Sequence, residues 1–210
     1  MGNVLATVAP AAVIPVDLES PGDALLTRDL DNGLDWLDLS QTMQGGMNRT
    51  FNDVSGQLGP GGEFDGFRHA TATEIEAFWT SAGIPDINSG GTAANFVPVT
   101  NLIGLLGDTS SPEPVSTFSF GILADSNAPG THQAAMIDLT SPSTARARSL
   151  ASPGNVADDM TDIAGGHFLV RSAPAAIPEP SSFALLGVAA AGFCSSRLRR
   201  RRQAARIQVA

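Results

Sequence analysis

His69, His132 and His167 are the only histidines of this 210-residue chain, Cys194 is its only cysteine, and lysine is absent. These residue types carry most acid–base, nucleophilic and metal-ligating chemistry, and here they form no recognisable constellation. The histidines lie far apart in sequence and belong to no His-Glu-x-x-His element, so the spacing gives a zinc site no support. A Gly-x-Ser-x-Gly nucleophile elbow is missing, and a Gly-rich phosphate loop with its lysine cannot exist without a lysine. One cysteine allows neither an intrachain disulfide nor a Cys-rich zinc site. The expectation is a chain that is not an enzyme, with no catalytic residue and no cofactor.

Acidic residues supply the best metal candidates. Asp158, Asp159 and Asp162 cluster in one stretch, and extracellular modules bind calcium through such oxygen clusters at ~10⁻⁴–10⁻³ M. A solvated acidic loop is the plainer reading and is preferred. Asp29, Asp31 and Asp35 miss the register of a calcium-binding EF-hand loop. Trp36, Phe67 and Trp79 have rings that stack on sugars, but their apolar neighbours favour burial in a core. Arg68, Glu74 and Arg171 read as residues that hold the body together through a hydrogen bond or a cap.

The elements that would position these groups are legible in part. Leu25–Leu30 and Leu34–Leu39 flank Asp31-Asn32-Gly33 and predict a β-hairpin with a tight Asn-Gly turn. Thr50 starts a short helix that ends before Gly59–Gly62. Thr71 with Glu74 makes a capping box, with Thr73 and Glu76 as its competitor; Ile75, Phe78 and Trp79 make an apolar face at i, i+3, i+4, and Gly83 is a stop. Val97–Leu106 predicts another helix. Strand-like runs cover Val115–Leu123, Gln133–Leu139 and His167–Arg171, while Pro142–Asp159 reads as a polar surface loop. The fold class is therefore α+β, with mixed strands and short helices in one domain over residues 21–172.

Charge divides the chain. Residues 1–180 hold all 21 acids and six arginines, a formal charge of −15, whereas residues 181–210 hold six arginines and no acid. The acidic body excludes a generally basic nucleic-acid binder. Residues 173–180 form a Pro/Ala linker with Pro178-Glu179-Pro180. Residues 181–196 carry no charge and include Phe183, Leu185, Leu186, Val188 and Phe193. With Pro180 they make a run of 17 residues, about 25 Å long as a helix, against about 30 Å of bilayer hydrocarbon. Snorkelling arginines and local thinning can make up the difference, so the stretch is expected to be a transmembrane helix. Arg197, Arg199, Arg200, Arg201 and Arg202 follow at once and place the basic tail, 197–210, in the cytoplasm. Met1–Val16 is mildly apolar but has no basic residue, so residues 1–20 read as a truncated signal region or as a disordered or strand-forming leader.

Pro178-Glu179-Pro180, an apolar helix and an arginine cluster, in that order, resemble the PEP-CTERM sorting signal of Gram-negative bacteria. The resemblance implies export, transient anchoring in the inner membrane and processing near Pro-Glu-Pro by an exosortase-type enzyme. Delivery to the cell surface or an exopolysaccharide matrix would follow. The tail beyond the arginines, Gln203–Ala210, is longer than usual for that family. Leu-x-Trp-Leu-Asp-Leu at 34–39, Gly-Phe-Arg-x-Ala-Thr-x-x-Glu at 66–74 and Gly-His-Phe-Leu-Val-Arg at 166–171 resemble an extracellular domain that recurs ahead of such signals. The middle element is also similar to one found in C-type-lectin-like and sulfatase-modifying-like folds. That similarity implies a lectin-like module for glycan or calcium as the alternative to a non-enzymatic surface protein.

Overall fold

The computed structural model describes residues 12–45, 47–110, 117–149, 155–161 and 164–174. The chain opens on strand β1 (Val13–Val16), followed by β2 (Leu26–Asp29) and β3 (Leu34–Leu37). A 3-10 turn (Leu39–Thr42) leads into β4 (Met43–Gln44), β5 (Met47–Asn48) and helix α1 (Phe51–Gly56). Strand β6 (Arg68–His69) precedes helices α2 (Ala72–Ser81) and α3 (Phe96–Leu106). Next come β7 (Phe118–Ile122), β8 (Thr131–His132), β9 (Ala134–Ser141) and β10 (Thr144–Arg148). Strands β11 (Val156–Ala157), β12 (Gly166–His167) and β13 (Leu169–Ser172) follow. The architecture is α+β.

Two principal sheets organise it. One has the order β1-β2-β3-β13-β6, the other β10-β9-β7-β12; β4-β5 and β8-β11 are two-stranded pairs. Residues 13–16, placed in a leader by sequence, form the edge strand of the first sheet through antiparallel pairing with β2. Val170 of β13 sits opposite Trp36 of β3, and Leu169 sits opposite His69 of β6. The late strand thus closes the early hairpin onto the middle of the chain. Phe168 joins the two sheets. Its N–H donates to the Ile122 carbonyl and its own carbonyl accepts from Ala70 N–H. The run His167–Arg171 is therefore two strands in two sheets, rather than the one strand the sequence predicts.

The hairpin forms with a different turn from the expected one. Asp29 and Leu34 are the last pair, so Leu30–Gly33 is a four-residue loop, and only Gly33, at φ 65°, takes a positive φ. Asp29 organises the loop: its carboxylate accepts from the backbone N–H of Asp31 and Asn32 and from the Asn32 side chain. A buried carboxylate that satisfies three donors removes the need for a two-residue Asn-Gly turn.

Helix signals fare better. Thr50 caps α1 by accepting from Asp53 N–H, and Thr71 with Glu74 completes a capping box on α2. Gly83 follows α2 at φ 79°, where an L side chain is strained. Ile75, Phe78 and Trp79 point inward, fully buried, with Val99, Leu102 and Leu106 of α3. Trp36 stacks on Phe78 at 4.3 Å and meets Phe168 edge-on at 6.3 Å. Trp36 and Trp79 are thus core residues, not platforms for a ligand.

Two strands occupy the stretch expected to be a surface loop. In β10 the sequence Thr-Ala-Arg-Ala-Arg alternates: Ala145 and Ala147 are fully buried, whereas Thr144, Arg146 and Arg148 are half-buried. β11 adds Val156–Ala157. Strand β7 shows no simple alternation, because Ser119 to Ile122 are all buried by cover on both faces. By its contacts the chain divides into two units, Met1–Ala173 and Pro174–Ala210. Among the described residues no helix is long and apolar enough to cross a membrane. The proposed span, 181–196, lies outside the described residues, as do 1–11 of the leader and the tail 197–210.

Candidate functional site

The three motifs singled out in the sequence fall side by side. Residues 34–39 supply β3, 66–74 supply β6 and the cap of α2, and 166–171 supply β12 and β13, which lies between β3 and β6. Their charged residues tie the body together. Asp35, fully buried, accepts two hydrogen bonds from Arg28 at 2.7 and 3.0 Å, and Arg171 Nε lies 3.7 Å from its other side. Arg28, Asp35 and Arg171 are cross-strand neighbours on β2, β3 and β13, so one carboxylate faces an arginine on each adjacent strand. Arg68 grips Glu74 through two contacts at 2.9 and 2.5 Å. That pairing, with the Thr71 N–H, holds the Glu74 carboxyl down at about 2. Gly166 has no room for a Cβ, which would meet the Leu39 carbonyl and, at 2.6 Å, Thr42 Oγ1.

Beside this framework lies a group that sequence spacing did not reveal: all three histidines converge on Phe51. His69 Nε2 is 3.0 Å from His167 Nδ1, and His167 Nε2 is 2.9 Å from the Arg49 carbonyl oxygen. A carbonyl only accepts, so Nε2 of His167 holds the proton. Its Nδ1 is left as the acceptor, and His69 Nε2 donates. The Phe51 ring stacks on His69 at 4.3 Å and on His132 at 3.4 Å. His132 Nδ1 pairs with Asp158 Oδ1 at 2.7 Å. Burial chiefly lowers both inner imidazoles, His69 to about 3 and His167 to about 4, and the neighbouring cationic groups add to it. Neutral imidazole is thus the stable form of the pair. Both ring nitrogens of His167 are spent on protein partners, which suits a proton-sensitive contact rather than a catalytic base or a metal ligand. The only sequence trace of this group is that His69 and His167 each sit inside one of the three motifs.

Asp158, one of the calcium candidates, is the partner of His132, and Asp159 lies in the turn after β11. Asp162 is outside the described residues. Among the described residues no group of three or more His, Cys, Asp or Glu side chains is arranged to hold a metal ion.

A second feature is a cleft of about 650 Å³. Apolar Leu37, Phe64 and Phe67 and polar Glu19, Asp23, Asp65 and Arg171 line it. The Arg171 guanidinium lies over the Phe67 ring at 4.9 Å. Backbone N–H groups of Ser20, Glu19, Leu18 and Leu25 all donate to Asp23 and hold its carboxyl far below the usual range. The carboxylate thereby fixes the loop that forms one wall.

The sorting residues Pro178, Glu179 and Pro180, the anchor residues Phe183 to Phe193 and the arginines from Arg197 lie outside the described residues. In a comparison with protein families, residues 176–202 match the PEP-CTERM protein-sorting motif. A protein of this class is an exosortase substrate, and its signal supports export through the membrane to the cell surface. The match covers the C-terminal signal and not the body of the chain. Neither the curated proteins nor the solved structures give a match to the chain.

Proposed function

We propose that this is a non-enzymatic protein of the bacterial surface or exopolysaccharide matrix, delivered by its C-terminal signal. The match of residues 176–202 to the sorting motif carries this reading. In it, residues 21–172, together with the edge strand Val13–Val16, form the exported domain, of the type that recurs ahead of such signals. Residues 173–180 present Pro178-Glu179-Pro180 to the processing enzyme. Residues 181–196 span the inner membrane transiently as a helix, with the arginines from Arg197 to Arg202 in the cytoplasm. The acidic body, at −15, avoids nucleic acid. The test is mass spectrometry of the mature protein from a host that has the sorting enzyme and from one that lacks it. Loss of the tail only in the first is expected; an intact tail in both overturns the reading. A reporter fused after Ala210 should be cytoplasmic before processing, and a periplasmic reporter signal overturns the topology.

The cleft favours one second reading, a glycan-binding module of lectin-like architecture. Its volume lies in the range of small-molecule sites, and the polar groups that line it, Glu19, Asp23, Asp65 and Arg171, suit sugar hydroxyls. Binding of the host exopolysaccharide, lost on Phe67→Ala or Arg171→Ala in a folded variant, supports it. No binding leaves the first reading standing alone.

A further inference from the structure

The His69–His167 pair spans two sheets and a helix. His69 belongs to β6, His167 to β12, and the Arg49 carbonyl that His167 holds lies just before α1. Phe51, the first residue of α1, stacks on His69. Groups that face the pair come from each of these elements. Arg49 is ion-paired with Glu63 at 2.6 Å, His132 on β8 is paired with Asp158, and Arg68, next to His69, is paired with Glu74 of α2. Among the described residues, Glu63 and Glu74 are thus each paired with an arginine, and Asp158 with His132.

We propose that His69 and His167 form an acid-operated latch, which holds the Arg49–Phe51 segment against β6 and β12 at neutral pH and releases it when both imidazoles take up protons. The 3.0 Å contact needs one lone pair between the two rings. A single proton can be accommodated: His167 then donates both to Arg49 and to His69, whose own proton moves to Nδ1. A second proton removes the last lone pair and sets N–H against N–H. It also places two cations together in a buried site, beside Arg49, where the carboxylates Glu63, Glu74 and Asp158 already have partners. In the open state each ring is solvated and titrates near 6.5, whereas closed they resist protonation to about 3 and about 4. Each histidine then shifts the open-to-closed ratio about tenfold per pH unit, and the pair up to about a hundredfold, as pH falls from about 6.5 to about 4. This inference stands whether or not the delivery route proposed above is correct.

Hydrogen exchange of the full chain, read by mass spectrometry at about pH 7 and about pH 5 and corrected for intrinsic exchange, tests it. Peptides covering 47–58 and 166–172 should lose protection at the lower pH before those of α2 do. His167→Gln keeps a donor for Arg49 and an acceptor for His69, and should reduce the pH dependence to about tenfold per unit or less. The double variant His69→Gln/His167→Gln should abolish it. Equal protection at both pH values, or an acid response that survives in the double variant, overturns the latch. Should a variant fail to fold, imidazole NMR titration of the parent decides: either ring titrating near 6.5 in the closed protein refutes the proposal, and both staying neutral to about pH 4 supports it.

Discussion

Asp35 is the residue on which the first sheet's charges depend. It is fully buried and lies between Arg28 and Arg171, both about a quarter exposed. Removing one partner of a buried pair leaves the others uncompensated and costs about 3–5 kcal/mol. Asp35→Asn should therefore lower the free energy of urea unfolding by that order, whereas Arg28→Met should cost less, because Arg171 still faces the carboxylate. A loss below about 1 kcal/mol for Asp35→Asn would show that the ladder carries no stability. The histidine pair sets a second expectation at this scale. Unfolded, each ring binds a proton near 6.5; folded, they bind only near about 3 and about 4. The unfolded state thus holds more protons in that window, so stability declines as pH falls from about 6.5 toward 4, by up to about 2.7 kcal/mol per unit. Glu74 contributes lower down: its depressed carboxyl stabilises the fold above about 4.5, and that contribution is lost as pH falls toward about 2. Urea unfolding at several pH values between 7 and 3 separates the two, and a flat profile above about 5 would exclude the histidine contribution.

Elements differ in how openly the sequence declares them. Helix α2 is legible because Thr71 and Glu74 cap it reciprocally and Ile75, Phe78 and Trp79 recur at helical spacing. Thr71→Ala should cost about 1 kcal/mol, a fall of about 2–4 °C in Tm for a domain of this size, read by calorimetry. The hairpin is legible from its two apolar runs, but its turn is not, because Asp29 closes a longer loop with side-chain hydrogen bonds. Strand β10 is missed because its inward residues are Ala145 and Ala147. Alanine is a faint hydrophobic mark amid the Pro and Ser of the surrounding residues. The histidine group is invisible for a different reason: the His69–His167 contact joins positions 98 apart, and tertiary pairing of β6 with β13 and of β12 with β7 brings them together. The glycine of the third motif marks close packing. At Gly166 a Cβ would strike the Leu39 carbonyl, which is backbone and cannot swing away. Gly166→Ala should destabilise the domain by about 1–3 kcal/mol, and an unchanged melting temperature would show that the 3-10 turn can move aside.

At the scale of the whole molecule, an acidic folded body and a basic C-terminal segment serve separate ends, and the chain divides between Ala173 and Pro174. The body's residues give no reason for Pro178-Glu179-Pro180; the matched sorting motif does. Two roles for the tripeptide can be told apart by chemistry. If the prolines only stop a following helix from extending backward, fixed φ and the missing N–H do all of it, and Glu179 is dispensable. If a processing enzyme reads the segment, Glu179 is its one electrostatic handle, as the only charge between Arg171 and Arg197. Glu179→Gln keeps size and shape and removes only the charge. In a host with the sorting enzyme, Glu179→Gln should therefore slow removal of the tail, and Pro178→Ala/Pro180→Ala should slow it as well. The readout is the fraction of full-length chain in the membrane, measured by mass spectrometry against the parent. Processing of Glu179→Gln at the parent's rate, with the proline variant impaired, would assign recognition to backbone shape alone. Parental processing of both would leave residues 181–196 as an anchor without a signal.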